Sequence, residues 1–263
     1  MKHAGLFAFL IALASPSAGR AADWSTTLGS ELSSGKFGAD QSTQIFIATA
    51  DVTASFLKWQ VRASLPYVQV DGPSTFLGPI SAEDLGTDFD TRDDFIAAFT
   101  DDGNVDGIGD LRVSASRFFF LPFDGTILDL SLSIKVPTGD PDKLLSTGQV
   151  DVEFGGDLVK RFGDTSVSLG ASYMVSGKTD RFNVQNRART SLGVYHEIKD
   201  GFGLGAVGEW RQAVIEDLPD VTEASVYFSA RITDQFSLLG YVLTGFSDTA
   251  PDVGGGFRLT RDF

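Results

Sequence analysis

The chain has 263 residues, a formal net charge of −14 and a sequence pI near 4.4. A protein this acidic is a poor binder of nucleic acid, because nucleic-acid phosphates are bound by basic surfaces. It contains no cysteine, which excludes disulfides, thiolate metal sites and thiol nucleophiles.

The N-terminus predicts a secretory signal peptide. Lys2 gives a basic start, residues 4–14 form an apolar run of eleven residues, and small residues follow up to Ala21. The run is shorter than the roughly 20 apolar residues that a spanning helix needs. We therefore predict a signal peptide at residues 1–21 and a mature domain at residues 22–263, with an uncleaved N-terminal anchor as the alternative.

The rest of the sequence alternates between apolar and polar residues. In residues 127–136 (ILDLSLSIKV), leucine, isoleucine and valine fall on one face and aspartate, serine and lysine on the other. A period of two predicts strands rather than helices. Twelve strands are predicted, at residues 26–38, 43–54, 58–70, 108–119, 126–136, 150–160, 165–175, 189–197, 202–212, 222–231, 236–245 and 253–263.

The connections between these strands alternate in length. Those after even-numbered strands are short, and those after odd-numbered strands are mostly longer, up to the acidic segment from Asp71 to Gly107. Outer-membrane barrels combine an even strand number with short periplasmic turns and longer extracellular loops. The predicted fold class is therefore all-β, a transmembrane antiparallel up-and-down β-barrel of about twelve strands in a Gram-negative outer membrane.

Aromatic residues are predicted to form two belts at the lipid headgroups. The periplasmic belt would contain Trp59, Phe119, Tyr195, Phe202, Phe236 and Phe263, and the opposite belt Tyr67, Tyr173, Trp210 and Phe246. The last strand alternates and ends in Phe263, a pattern that resembles the signal read by the barrel-assembly machinery. The predicted partners are this machinery, the outer-membrane bilayer and a small-molecule solute.

Several stretches resemble the MetA-pathway of phenol degradation family, within the wider set of fatty-acid-transporter-like outer-membrane proteins. The stretches are residues 34–38 (SGKFG), 65–67 (LPY), 107–111 (GIGDL), 135–140 (KVPTGD) and 146–151 (STGQVD). The resemblance implies an outer-membrane barrel that passes or handles small organic compounds. It indicates the architecture better than the substrate.

Ionisable residues within strands are predicted to face the lumen, because a charge that faces lipid is costly. In an open channel, rings of charge would set the selectivity. Alternatively, paired charges would fill a lumen that is narrow at this strand number. The predicted pore-lining residues are Asp51, Lys58, Arg62, Arg112, Asp129, Lys135, Asp151, Glu153, Asp157, Glu209, Arg211, Arg231 and Arg258.

An acidic segment at residues 102–110 is similar to a short calcium-binding loop. Asp102, Asn104, Asp106 and Asp110 place oxygen ligands at intervals along it. The glutamate that closes an EF-hand loop is missing, and a solvated acidic loop accounts for the same residues. Calcium is the one cofactor that the sequence suggests.

Nothing in the sequence predicts an enzyme. The predicted mature domain has one histidine, His196, whereas hydrolytic sites combine histidine with serine or aspartate. The predicted function is a passive, porin-like channel or transporter for small compounds, hydrophobic or aromatic ones included. The alternatives are a non-conducting structural or surface-binding barrel with a salt-bridged lumen and, third, an outer-membrane hydrolase.

Overall fold

The computed structural model describes residues 22–37, 41–72, 77–80, 95–98, 104–123, 125–143, 145–179, 183–215 and 218–263. For residues 77–80 and 95–98 it describes the backbone alone. The predicted signal peptide lies outside the described residues. None of the described segments forms a helix long and apolar enough to cross a membrane.

In the described part of the chain, the wall of the molecule is one closed antiparallel sheet of twelve strands, one of them in two pieces. Each strand pairs with its neighbour in sequence, and the last pairs with the first. The wall strands are β1 (Asp23–Gly35), β2 (Thr43–Phe56), β3 (Trp59–Asp71), the interrupted strand β6 (Asn104–Ile108) and β7 (Leu111–Phe120), β8 (Thr126–Val136), β9 (Asp151–Phe162), β10 (Thr165–Val175), β11 (Arg187–Lys199), β12 (Phe202–Arg211), β13 (Val221–Arg231), β14 (Phe236–Gly245) and β15 (Val253–Asp262). The predicted barrel of twelve strands is confirmed.

The strand positions follow the alternation in the sequence. β8, β10 and β14 begin and end at the predicted residues, and the other wall strands differ from their predicted bounds by a few residues at most. Alternation predicts these strands well because one face of each contacts an apolar surrounding and the other faces a polar interior, so a slip by one residue would exchange the two faces.

The predicted fourth strand is interrupted. β6 pairs with the outer part of β3 (Tyr67 with Ile108), and β7 pairs with its inner part (Ser64 with Arg112). Two residues of β3 between these pairs therefore lie opposite three residues of the other strand, which is a β-bulge. The bulge shifts the alternation by one residue, and as a result Asp110 turns inward and is buried.

The segment between β3 and β6 was predicted to be a loop. The structure instead places two short strands within it, β4 (Leu77–Ile80) and β5 (Phe95–Ala98), which pair with each other in a separate sheet. Their composition did not reveal them because two strands of four residues are too short to show a period.

The connections confirm the predicted alternation of lengths. One end of the barrel, here called the short-turn end, holds the turns after β2, β7, β9, β11 and β13. Gly163 and Gly201 have φ of 61° and 72° in two of these turns, a conformation that glycine adopts without steric cost. Both ends of the described chain lie here, since the Phe263 amide donates to the Trp24 carbonyl at 3.0 Å. The opposite end is called the long-loop end.

The interior is polar along most of the wall, with an apolar part at the long-loop end. An apolar cluster at the long-loop end joins inward side chains of β2, β3 and β6 to residues of two connections. Its members are Phe37, Ile45, Ile47, Val68, Val70, Val105 and Leu145, all nearly excluded from solvent. The interior of the barrel therefore includes a small packed core near the long-loop end.

Candidate functional site: the inner wall of the barrel

The two faces of β8 show how the wall separates polar from apolar side chains. Leu130 faces outward and is 47% exposed, whereas Lys135 faces inward and is 1% exposed. Direct partners on antiparallel strands share a face, so the register extends this assignment around the barrel. The predicted pore-lining residues can be placed on this basis.

The first ionic cluster lies on the inner faces of β7, β8 and β9. Lys135 Nζ lies 2.8 Å from an oxygen of Asp151 and 3.3 Å from an oxygen of Asp110. Beside it, Arg112 lies 3.0 Å from Glu153 and donates to Ser133 at 3.0 Å. Charges this deeply buried require partners, and the cluster supplies them.

The connection between β8 and β9 is fastened to this cluster. The Ser146 hydroxyl donates to Asp110 at 2.9 Å, and the Gly139 amide donates to the same carboxylate at 2.9 Å. Lys135 donates to the Thr147 hydroxyl at 3.2 Å. Leu145, from the same connection, packs into the apolar cluster. The stretches 107–111, 135–140 and 146–151, which carry the family resemblance, therefore contribute to one hydrogen-bonded unit inside the long-loop end.

The second ionic cluster lies on β11, β12 and β13. Arg211 lies 2.8 Å from Glu209 and 2.9 Å from Glu223, and Arg189 lies 2.7 Å from Glu209. Glu223 and Arg189 are not among the predicted pore-lining residues. The signal for Glu223 was present, because it has the same parity in its strand as Arg231, which was selected.

The third group lies where the barrel closes. Arg258 of β15 reaches across β1 to Asp51 of β2, at 3.0 Å. The Ser64 hydroxyl donates to the same carboxylate at 2.5 Å, and Arg62 donates to Thr53 at 3.3 Å.

The remaining predicted pore-lining residues occupy two kinds of position. Asp129 and Asp157 are direct partners on β8 and β9, and both are half-buried on the inner face. Lys58 lies in the turn between β2 and β3, and Arg231 is the last residue of β13, at the rim of the short-turn end. There Arg231 pairs at 3.5 Å with the exposed Asp200. That any of the thirteen residues lines a conducting path stays a prediction.

The predicted calcium ligands do not converge among the described residues. Asp106 faces outward, where it accepts a hydrogen bond from Tyr67 at 2.9 Å. Asp110 faces inward and pairs with Lys135. The two aspartates point to opposite faces because the bulge in this strand shifts the alternation by one residue. The described residues contain no group of three or more acidic, histidine or cysteine side chains that could hold a metal ion. Asp102 lies outside them, so the calcium site stays a prediction.

The aromatic residues of the short-turn end lie mostly on the outer face, as predicted. Four outward cations there lie over aromatic rings: Arg117 over Trp59 and Phe119, Lys160 over Phe162, Lys199 over Phe202, and Arg261 over Phe236 and Phe263. The prediction for Tyr195 is wrong, because its hydroxyl lies 3.0 Å from that of Ser229 inside the barrel. Tyr195 lies eight residues from the inward Arg187 in the same strand, and strand alternation places side chains an even number of residues apart on the same face.

His196 lies on the outer face near the short-turn end. Its Nδ1 is 2.9 Å from the Thr165 hydroxyl, and the ring is exposed. No carboxylate is described at this ring, so the described residues give it no catalytic partner of the serine-hydrolase kind.

Comparison with known proteins identifies the fold and no family. No family model matches the sequence, and no curated protein matches it. The suggested membership of the MetA-pathway of phenol degradation family is therefore not confirmed.

Several solved structures share this fold. The chain is similar to an outer membrane channel from Pseudomonas putida F1, with 15% identity and a TM-score of 0.72, over 95% of this chain and 100% of that one. It is similar to the KdgM porin (7% identity, TM-score 0.54, 91% and 99% covered) and to the CymD monoaromatic hydrocarbon channel (11% identity, TM-score 0.51, 92% and 88% covered). These likenesses show the fold of an outer-membrane β-barrel, and the three structures named here are channels or porins.

Proposed function

We propose that this protein is a passive channel of the outer membrane for small solutes, including hydrophobic or aromatic compounds. The short-turn end would face the periplasm and the long-loop end the outside, as in barrels of this kind. The solute would cross the membrane inside the barrel, down its own concentration gradient.

The main support for this proposal is that the inner ion pairs run along the wall of the barrel. Arg112 pairs with Glu153 across one intervening strand, and Arg258 pairs with Asp51 in the same way. The pairs of Lys135 and Arg211 join strands that are direct neighbours. On a wall of twelve strands, opposite sides are six strands apart. These pairs thus neutralise charge along the wall and do not cross the lumen, an arrangement that leaves the axis of the barrel available to solute.

The comparisons support the same proposal. The similar structures are named as a channel, a porin and a monoaromatic hydrocarbon channel. The resemblance of the sequence to the MetA-pathway of phenol degradation family indicates small organic compounds as the solutes.

A second candidate is favoured by the long-loop end. There the connection between β8 and β9 lies inside the barrel, with Leu145 buried among the apolar side chains of β2, β3 and β6. A mouth filled in this way would suit a non-conducting barrel that acts through its outer loops. The two candidates differ in whether an aqueous path exists.

Ion conductance of the purified, refolded protein in a planar lipid bilayer tests the proposal. We expect steady, discrete openings. Arg62→Ala, which removes an inward cation, should shift the ion preference towards cations, whereas Arg117→Ala, which removes an outward cation, should leave it unchanged. Silence from protein shown to be folded would reject an aqueous channel and favour the second candidate. An equal effect of both substitutions would show that Arg62 does not line the path.

A further inference from the structure

Three of the five tyrosines of the chain lie on the inner wall, and together they are called the tyrosine strip: Tyr195, Tyr227 and Tyr241. Tyr241 of β14 is the direct partner of Tyr227 of β13. Tyr227 in turn pairs with Gly205, whose other partner is Tyr195 of β11. The three side chains therefore belong to one row of the sheet.

The rings of the strip lie against the wall and do not stand out from it. The rings of Tyr195 and Tyr227 are nearly parallel, 9° apart in plane and 6.1 Å between centroids. A Cβ atom at Gly205 would collide with the Tyr227 ring, and one at Gly256 would lie 2.9 Å from the Tyr241 hydroxyl oxygen. The glycines leave room for the rings to lie flat, which a larger residue would prevent.

The hydroxyl groups hold the rings in this orientation. Tyr195 shares a hydrogen bond with Ser229 at 3.0 Å, and the Tyr241 hydroxyl donates to the buried Glu31 carboxylate. All three tyrosines are half-buried, so part of each side chain remains accessible inside the barrel. The rings of Tyr195 and Tyr241 are thus held by their neighbours, and each of the three side chains keeps an accessible part.

The strip has a direction along the barrel. Its row continues from Tyr241 through Gly256 to Glu31, and then to Ile47 and Val68 of the apolar cluster. Because strands of such barrels tilt by about 35–45°, a row of direct partners climbs along the barrel as it crosses the strands. Tyr195 lies near the end of β11 at the short-turn end, and Val68 lies near the opposite end of β3. The row therefore leads from the apolar cluster towards the periplasmic opening.

We infer that the tyrosine strip is a binding surface for uncharged solutes that contain a planar aromatic ring. Such a ring gains offset stacking on a fixed tyrosine face, and three faces in sequence offer successive sites of similar strength. The neighbouring Glu31 disfavours anionic aromatic compounds. The inference rests on the proposed channel function, because successive weak sites assist a solute only if it travels through the lumen.

Phenyl β-D-glucoside is a suitable probe, since its sugar keeps it out of the bilayer, and cyclohexyl β-D-glucoside is the saturated control. The protein, with 13C-labelled tyrosine rings, is titrated in lipid nanodiscs while NMR follows the five tyrosines. We expect saturable shifts at Tyr195, Tyr227 and Tyr241 with the phenyl compound, smaller shifts with the cyclohexyl compound, and none at the outward Tyr67 and Tyr173.

Substitutions separate the ring from the hydroxyl group. Tyr227→Ala should weaken binding of the phenyl compound by about two- to tenfold, the range expected for one aromatic contact. Tyr227→Phe should bind almost as well as the unmodified protein, and Tyr173→Ala, on the outer face, should have no effect.

Three results would overturn the inference: no saturable shift at the strip, equal shifts with both glucosides, or equal loss on substituting Tyr173 and Tyr227. Bilayer conductance is recorded on the same preparations. Conduction without binding at the strip would reject this inference and leave the channel standing. Silent bilayers with saturable binding would reject the channel and support the aromatic site.

Discussion

Lys135→Met is the substitution whose effect on stability follows most directly from the first ionic cluster. It removes the cation that lies 2.8 Å from Asp151 and 3.3 Å from Asp110, and it leaves two carboxylates whose side chains are 7% and 0% exposed. Removing one partner of a buried ion pair costs about 3–5 kcal/mol. Asp110 keeps donors from Ser146 and Gly139, so we expect the lower part of this range, about 3 kcal/mol.

Urea unfolding of the refolded protein in lipid vesicles, followed by tryptophan fluorescence, measures this effect. With a slope of about 2–3 kcal/mol per molar urea, a loss of about 3 kcal/mol lowers the midpoint by roughly 1 M or more. Lys160→Met is the matched control, because Lys160 lies over Phe162 on the outer face and its loss should cost about 0.5–1 kcal/mol.

Adding Asp110→Asn to Lys135→Met should recover part of the loss, since one buried carboxylate then becomes neutral. If Lys135→Met stays within about 0.5 kcal/mol of the unmodified protein, the size of effect usual for an exposed surface position, the carboxylates are solvated in its absence and the reasoning from burial is wrong.

The other predictions concern the second ionic cluster, the outer face and the C-terminus. Arg211→Met should lower the unfolding free energy by about 3 kcal/mol, because it leaves the buried Glu223 without its 2.9 Å partner, and the same urea titration would show it. Val226→Arg places a charge on the outer face at the middle of β13 and should lower the unfolding free energy by about 2–4 kcal/mol. Val253→Arg, at the long-loop end of β15, should lower it by only about 0–1 kcal/mol. Equal losses for the two substitutions would contradict the assigned membrane position. Deleting Phe263 should reduce the amount of folded barrel in the outer membrane several-fold while leaving synthesis unchanged, as measured by heat-modifiable mobility on gels, and unchanged assembly would argue against this residue as a recognition signal.

The sequence predicted the wall because strand alternation is a local property. Lys135 and Asp151 were placed on the inner face from their own strands alone, and the structure shows them in contact. Parity would also have selected Glu223 and Tyr227, which share the face of Arg231. Glu223 carries the same signal as the predicted lumen charges, whereas Tyr227 is uncharged and alternation alone does not distinguish it from a tyrosine of a lipid belt.

The opposite orientations of Asp106 and Asp110 could not have been predicted in this way. Alternation alone would place both side chains on one face, and they differ because of the bulge, which is a property of the pairing with β3. The same limit applies to the connection between β8 and β9, whose position inside the barrel depends on Asp110, Lys135 and the apolar side chains of β2, β3 and β6. Long-range pairing decides such features, and a local period carries no information about it.

The closure between β1 and β15 has a consequence for the order of folding. The hydroxyl groups of Thr27 and Thr260 lie 2.8 Å apart although 233 positions separate them in the chain. Ten pairs of direct partners join these two strands, so β1 has an unpaired edge until β15 arrives. Contacts between residues so distant in sequence slow folding, because the entropy of closing the loop is lost before the contacts form. Folding should therefore be nearly all-or-none: a chain that ends before β15 exposes two strand edges and is expected to aggregate or be degraded rather than form a smaller barrel.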